Sequence, residues 1–159
     1  MRSENRNPSP QAPFTDDYLL YILAHASAAV SDAFHSELAR EGISVTTWRI
    51  LGSLYPDARL NVGTLARKTL LKQPTLTRAL DRLTAQGVVR RDHSTGDRRG
   101  VLVELTETGR AMARAATDKA RAHETLILEG YAPSEIADLK RRLRALMAAV
   151  RRGPQALHN

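Results

Sequence analysis

Asn61-Val62-Gly63-Thr64-Leu65-Ala66-Arg67-Lys68-Thr69-Leu70-Leu71-Lys72-Gln73-Pro74-Thr75-Leu76-Thr77-Arg78-Ala79-Leu80-Asp81-Arg82-Leu83-Thr84-Ala85-Gln86-Gly87 reads as two short helices joined by a tight turn. Asn61 is placed to cap the first helix, whose Val62, Leu65, Ala66 and Leu70 are expected to face inward. The second runs from Gln73 to Gln86, with Pro74 in the first turn, where a missing N–H costs nothing. Its Leu76, Ala79, Leu80 and Leu83 recur at i, i+3, i+4 and i+7, one side of a helix, and Gly87 stops it. Leu71-Lys72 is a short enough join to set the second helix across the first, the arrangement that lets a helix enter a DNA major groove.

With the core side fixed by leucines, the opposite side presents Gln73, Pro74, Thr75, Thr77, Arg78, Asp81 and Arg82. Threonine hydroxyls reach base edges or phosphates, and an arginine can grip guanine O6 and N7 through two parallel bonds. Asp81 would repel phosphate, so it is expected to orient Arg78 or Arg82. Any solvated amphipathic helix can look like this, and the segment that follows tips the balance. Val88–Arg91 and Gly100–Leu105 read as strands of a hairpin around the turn-rich loop Asp92–Arg99. Arg90, Arg91, Arg98 and Arg99 crowd four positive charges near one turn, although like charges on paired strands repel. A basic tip inserted into a minor groove explains that crowding. Arg98 and Arg99 therefore join the candidate DNA contacts, with Asp97, Arg90 and Arg91 as wing support; His93 reads as an exposed loop residue.

On the N-terminal side, a helix is expected from Thr15, as N-cap, to about Arg40, ended by Gly42. Leu19, Leu20, Ile22, Leu23, Ala26, Ala29, Val30, Ala33, Phe34 and Leu38 spread around its circumference. A helix apolar all round is buried all round, and a second copy of so small a chain is one way to bury it. A further helix, Thr46–Leu54, ends before Pro56. On the C-terminal side, Thr106 caps an alanine-rich helix reaching about Glu129. After Gly130 and Pro133 a last helix lines up Ile136, Leu139, Leu143, Leu146, Met147 and Val150, with Ala132 where a serine or threonine cap is more usual.

The expected fold is mainly α: a winged helix-turn-helix lobe with a small β-hairpin wing, plus N- and C-terminal helices that form a dimerisation region. About six helices are expected. Residues 14–150 read as one domain, with the lobe over 45–105 and dimerisation helices over 14–41 and 106–150. Residues 1–13, polar and carrying Pro8, Pro10 and Pro13, read as a disordered arm, and 151–159 as a frayed tail.

Composition agrees and excludes. The chain has 159 residues, 42% of them hydrophobic, and a net charge of +7, a surplus that favours a polyanionic partner. It has no cysteine, so disulfides, thiolate metal sites and thiol redox sensing are excluded. His25, His35, His93, His123 and His158 show no helical metal-ligand spacing, so neither metal nor cofactor is expected. No apolar run approaches the ~20 residues of a membrane span, and no apolar signal core opens the chain, which points to a cytoplasmic protein. Without a Gly-x-Ser-x-Gly elbow or a phosphate-cradling glycine loop, the chain does not read as an enzyme.

The runs Leu76-Thr77-Arg78-Ala79-Leu80-Asp81-Arg82-Leu83, Gly87-Val88-Val89-Arg90-Arg91, Asp97-Arg98-Arg99 and Leu105-Thr106-Glu107-Thr108-Gly109-Arg110 resemble, in order and spacing, the MarR family of bacterial transcription regulators. The resemblance extends over roughly Thr15 to Val150. It implies a homodimer with interlocked terminal helices, recognition of a pseudo-palindromic double-stranded DNA operator, and Arg98 as the wing-tip residue in the minor groove. It also implies repression relieved by a small aromatic carboxylate bound between the dimer helices and the DNA lobe. Tyr18, Tyr21, Ile22 and His25 on one helix face, with Trp48 and Arg49 on the next helix, are the candidate ligand-binding residues. The competing reading is an architectural or constitutive DNA binder with no effector; an architectural coat without sequence choice leaves the uncharged Gln73, Thr75 and Thr77 beside Arg78 without a purpose.

Overall fold

The computed structural model describes residues 13–92 and 101–151. Its elements follow as α1 Phe14–Asp17, α2 Leu19–Arg40, α3 Val45–Leu54, β1 Leu60–Asn61, α4 Val62–Thr69, α5 Gln73–Ala85, β2 Val89–Asp92, β3 Leu102–Leu105, α6 Glu107–Ile127 and α7 Pro133–Arg151. Two compact units divide the chain, Met1–Asp118 and Lys119–Asn159, and α6 runs through the boundary.

The first unit is organised around α5. Leu76, Ala79, Leu80 and Leu83 are all buried and pack with Ile50, Leu51 and Leu54 of α3, Leu65 and Ala66 of α4, Val89, Val103 and Leu105 of the sheet, and Ala113 of α6. Each fully buried leucine or isoleucine here contributes about 1.5–3 kcal/mol of transfer free energy, so the apolar stripe fixes the helix against the rest of the lobe. The sheet has the order β1-β3-β2, antiparallel throughout, with Val89 opposite Leu105 and Arg90 opposite Glu104. Alternation then sends Val89, Val103 and Leu105 inward and Arg90 and Glu104 outward. Strand β1, only two residues long, pairs Leu60 with Val103. It was not expected, because two residues carry no alternation to read.

Local polar contacts set the helix starts. Asn61 Oδ1 accepts from the Thr64 N–H at 2.8 Å, the cap its position predicts. Helix α3 begins at Val45 and is capped by Ser44, whose Oγ accepts from the Thr47 N–H at 3.1 Å; Thr47 itself is buried. Thr106 Oγ1 accepts from the Gly109 N–H at 3.0 Å and donates to the Gly87 carbonyl at 2.6 Å, tying the start of α6 to the end of α5. Thr106→Ala loses the cap and leaves that carbonyl short of a donor. It is expected to lower stability by about 1–2 kcal/mol, read from urea unfolding with an unchanged slope.

Three expectations are corrected. Thr15 is not an N-cap: it lies inside α1, which follows Pro13, and the chain breaks at Tyr18 (φ −83, ψ 111) before α2 starts at Leu19. The single helix thus becomes two, giving seven helices among the described residues. Leu70 does not face inward. It is 78% exposed in a left-handed conformation (φ 56) that closes α4, and Thr69 is buried in its place, with its hydroxyl donating to the Leu65 carbonyl at 2.7 Å. The second strand covers Val89–Asp92, one residue later than its predicted start.

Helix α2 buries only Phe34 and Leu38 within the chain, and Leu19, Leu20, Tyr21, Ile22 and Val30 stay exposed. Its all-round burial is therefore not achieved by one copy.

In the second unit, Lys140 Nζ reaches Glu124 Oε1 at 2.8 Å, linking α7 to the last turns of α6. Gly130 (φ +93) makes the turn between them, and Glu135 Oε2 accepts from the Ala132 N–H at 2.7 Å. The acidic side chain thus supplies half of a capping box where the cap residue has no side-chain acceptor. Asp138 is bonded by Arg142 and Arg141, which hold its carboxyl below the usual carboxylate range. No residue of α7 is buried.

Candidate nucleic-acid interface

Helix α5 keeps one side against the core and leaves the other open. Gln73, Pro74, Thr75, Thr77, Arg78, Asp81 and Arg82 are all exposed, while the intervening Leu76, Ala79 and Leu80 are buried. Lys72 occupies the N-cap position and offers no side-chain acceptor, so the first N–H groups of α5 and the positive end of its dipole remain available to an anion such as a DNA phosphate. Exposed Arg67 and Lys68 in the last turn of α4 add positive charge next to it; sequence reading passed over both.

The charged side chains on this face differ in what they touch. Arg78 forms no ion pair or side-chain hydrogen bond with any described residue. Arg82 is engaged elsewhere: its Nη2 donates to Thr47 Oγ1 at 3.2 Å, beside Ser44 Oγ, which lies 2.9 Å from the same hydroxyl. That places Arg82 at a cleft of about 370 Å³ with Gly42, Ser44, Gln86 and Met112. Asp81 orients neither Arg78 nor Arg82, contrary to expectation. Its Oδ1 accepts from Arg91 Nη2 at 2.7 Å.

The arginines of the paired strands separate for the same geometric reason that strands alternate. Arg90 lies on the outer face opposite Glu104 and donates to it at 2.7 Å through Nε. Arg59 also reaches Glu104, at 3.0 Å, and pairs with Asp92. Arg91 falls on the inner face with Val89, and its guanidinium emerges at the edge of the core to meet α5. The like charges of Arg90 and Arg91 are therefore each met by a carboxylate. Arg98 and Arg99, with Asp97 and His93, lie outside the described residues.

The candidate ligand residues fall into two groups within one chain. Tyr18 stacks on Phe14 with centroids 5.0 Å apart, and Tyr21 lies 4.2 Å from His25. Trp48 instead meets Phe34 edge-on at 5.2 Å, and Arg49 is exposed. Phe34 stands nine residues beyond His25 on α2, about 14 Å along the axis at the α-helical rise. One chain thus does not gather these residues into one pocket. Among the described residues no helix is long and apolar enough to cross a membrane, and no group of three metal-ligating side chains forms.

The MarR family model matches residues 41–100, which take in α3 to α5 and the β2 strand. The fold is that of the MarR family transcriptional regulator SPO1453 from Silicibacter pomeroyi DSS-3, with a TM-score of 0.77 and 37% identity over 87% of this chain and 99% of that one. The chain belongs to the MarR family. This MarR protein is also 32% identical, over 118 residues, to the HTH-type transcriptional regulator YfiV of Bacillus subtilis (strain 168), covering 74% of this chain and 72% of YfiV. A third relative is NadR, solved in complex with 4-hydroxyphenylacetate. It is 26% identical with a TM-score of 0.73, over 88% of this chain and 96% of NadR. The family is one of DNA-binding winged helix-turn-helix transcription regulators, not of enzymes.

Proposed function

We propose that the protein is a homodimeric repressor that binds a pseudo-palindromic operator, occludes a promoter and is released by a small aromatic acid. The observation that carries this reading is the open face of α5, where uncharged Gln73, Thr75 and Thr77 flank an Arg78 that no described residue engages. A surface built only for charge would carry lysines and arginines there. Polar uncharged groups beside an unengaged guanidinium suit base edges, and Arg98 and Arg99 are proposed to reach the adjacent minor groove. The bare apolar residues of α2 and α7 support a dimer, since one copy leaves Leu20, Ile22, Leu139 and Met147 in water.

Arg78→Ala is expected to relax the base preference at one position of each half-site, at a cost of about 1–3 kcal/mol there, with little change elsewhere. Binding to an operator and its single-base variants reads this out, and an unaltered preference profile excludes Arg78 as a reader. Arg82, held on Thr47, is proposed to act on DNA through a phosphate or through the placing of α5, so its replacement weakens all variants alike.

The effector part rests on NadR, which binds 4-hydroxyphenylacetate, and on the exposed rings of Tyr18 and Tyr21 beside His25. Tyr18, Tyr21 and His25 of one copy are proposed to combine with Trp48 and Arg49 across the dimer, since they do not meet within one chain. Titration with aromatic acids should release DNA and change Trp48 fluorescence together. Release without a fluorescence change removes Trp48 from the site, and no release by any of them favours the constitutive regulator.

A further inference from the structure

Asp81 is the only acidic residue on the open face of α5, and an aspartate facing DNA has two ordinary consequences. It repels phosphate, or it accepts a bond from cytosine N4 and reads a base. Both are opposed when a guanidinium already holds the carboxylate, and Arg91 Nη2 lies 2.7 Å from Asp81 Oδ1. Arg91 is itself constrained. Alternation puts it on the inner face of β2 behind buried Val89, and its Nε is buried with no hydrogen-bond partner among the described residues. A half-buried guanidinium with one nitrogen unsatisfied depends strongly on the carboxylate at its other end. The bond joins the middle of α5 to β2, two elements that must meet the duplex at a fixed angle if helix and wing are to bind together.

We propose that Asp81 is a positioning residue that fixes the recognition helix against the wing strand through Arg91, and that it neither reads a base nor opposes the duplex. This rests on the DNA-binding reading of α5. It makes a prediction of opposite sign from simple electrostatics: removing a negative charge from a DNA-facing helix should strengthen binding, whereas removing the clamp weakens it.

The test uses the full-length protein and a duplex that the parent protein selects from a random-sequence pool, together with single-base variants of that duplex. Asp81→Asn and Arg91→Gln are each expected to weaken binding roughly fivefold. The double variant should be no weaker than the weaker single one, and Asp81→Glu should recover most of the affinity. The loss from Asp81→Asn should be equal across all base variants, with the unfolding midpoint close to that of the parent. Equal or tighter binding by Asp81→Asn overturns the proposal, as do additive losses in the double variant. A changed preference at one base pair overturns it in favour of direct reading by Asp81. Failure of the parent to select any duplex defeats the DNA-binding reading, and the clamp falls with it.

Discussion

Gly109→Ala is expected to lower the unfolding free energy by roughly 3 kcal/mol, the upper end of what overpacking costs. A Cβ at this position would stand 2.0 Å from the Val88 carbonyl oxygen and 3.0 Å from its carbon, far inside contact distance and against backbone rather than a yielding side chain. The carbonyl cannot easily withdraw, because it accepts from the Thr106 N–H at 3.1 Å and leads into Val89, which is buried in the core. Val88 also follows Gly87 (φ +68), the turn that ends α5. Relief of the clash must therefore move the junction of α5, β2 and α6 as a whole. Urea unfolding measures the loss, and DNA affinity should fall with it. A variant within about 0.5 kcal/mol of the parent would show that α6 does not cross Val88 at this distance.

Leu146→Glu is expected to convert the protein to a monomer and to weaken operator binding by about 100-fold or more, because two linked half-site contacts become one. Leucine and glutamate are similar helix formers, so the substitution changes the surface of α7 without penalising the helix itself. That surface is bare in a single copy: Leu139 is 53% exposed, Met147 54% and Val150 67%. Sedimentation gives the mass and electrophoretic mobility gives the affinity. A dimeric variant would place the interface elsewhere, and a monomer that binds DNA as tightly as the parent would remove the need for two copies.

The parts of this fold that sequence alone makes legible are those set by near neighbours. Asn61 and Thr106 are caps because a side-chain acceptor sits three residues before a free N–H, and the stripe Leu76, Ala79, Leu80 and Leu83 reports its own period. The apolar circumference of α2 signals a second burial surface, although not which of its residues meet what. What escapes sequence depends on register and distance. Arg90 and Arg91 are adjacent in the chain yet pair with different carboxylates on opposite faces of the sheet, and only the pairing of Arg90 with Glu104 reveals it. Asp81 and Arg91 are ten residues apart on two element types, so no helical spacing brings them together. Leu70 matches the apolar stripe of α4, but the helix ends one residue earlier, and a left-handed leucine is not something composition announces. The ring cluster fails for a similar reason: Tyr21, His25 and Trp48 look like neighbours when helices are imagined side by side, but α3 packs at Phe34.

Selection of bound duplexes from a random-sequence pool tests the central claim most directly, that two copies of α5 read base edges in successive major grooves. The account predicts an inverted repeat with half-site centres about 10 base pairs apart, preferred over random DNA by ~10³-fold at fixed salt. Recovery of no preferred sequence, or of a single unrepeated element, would contradict it.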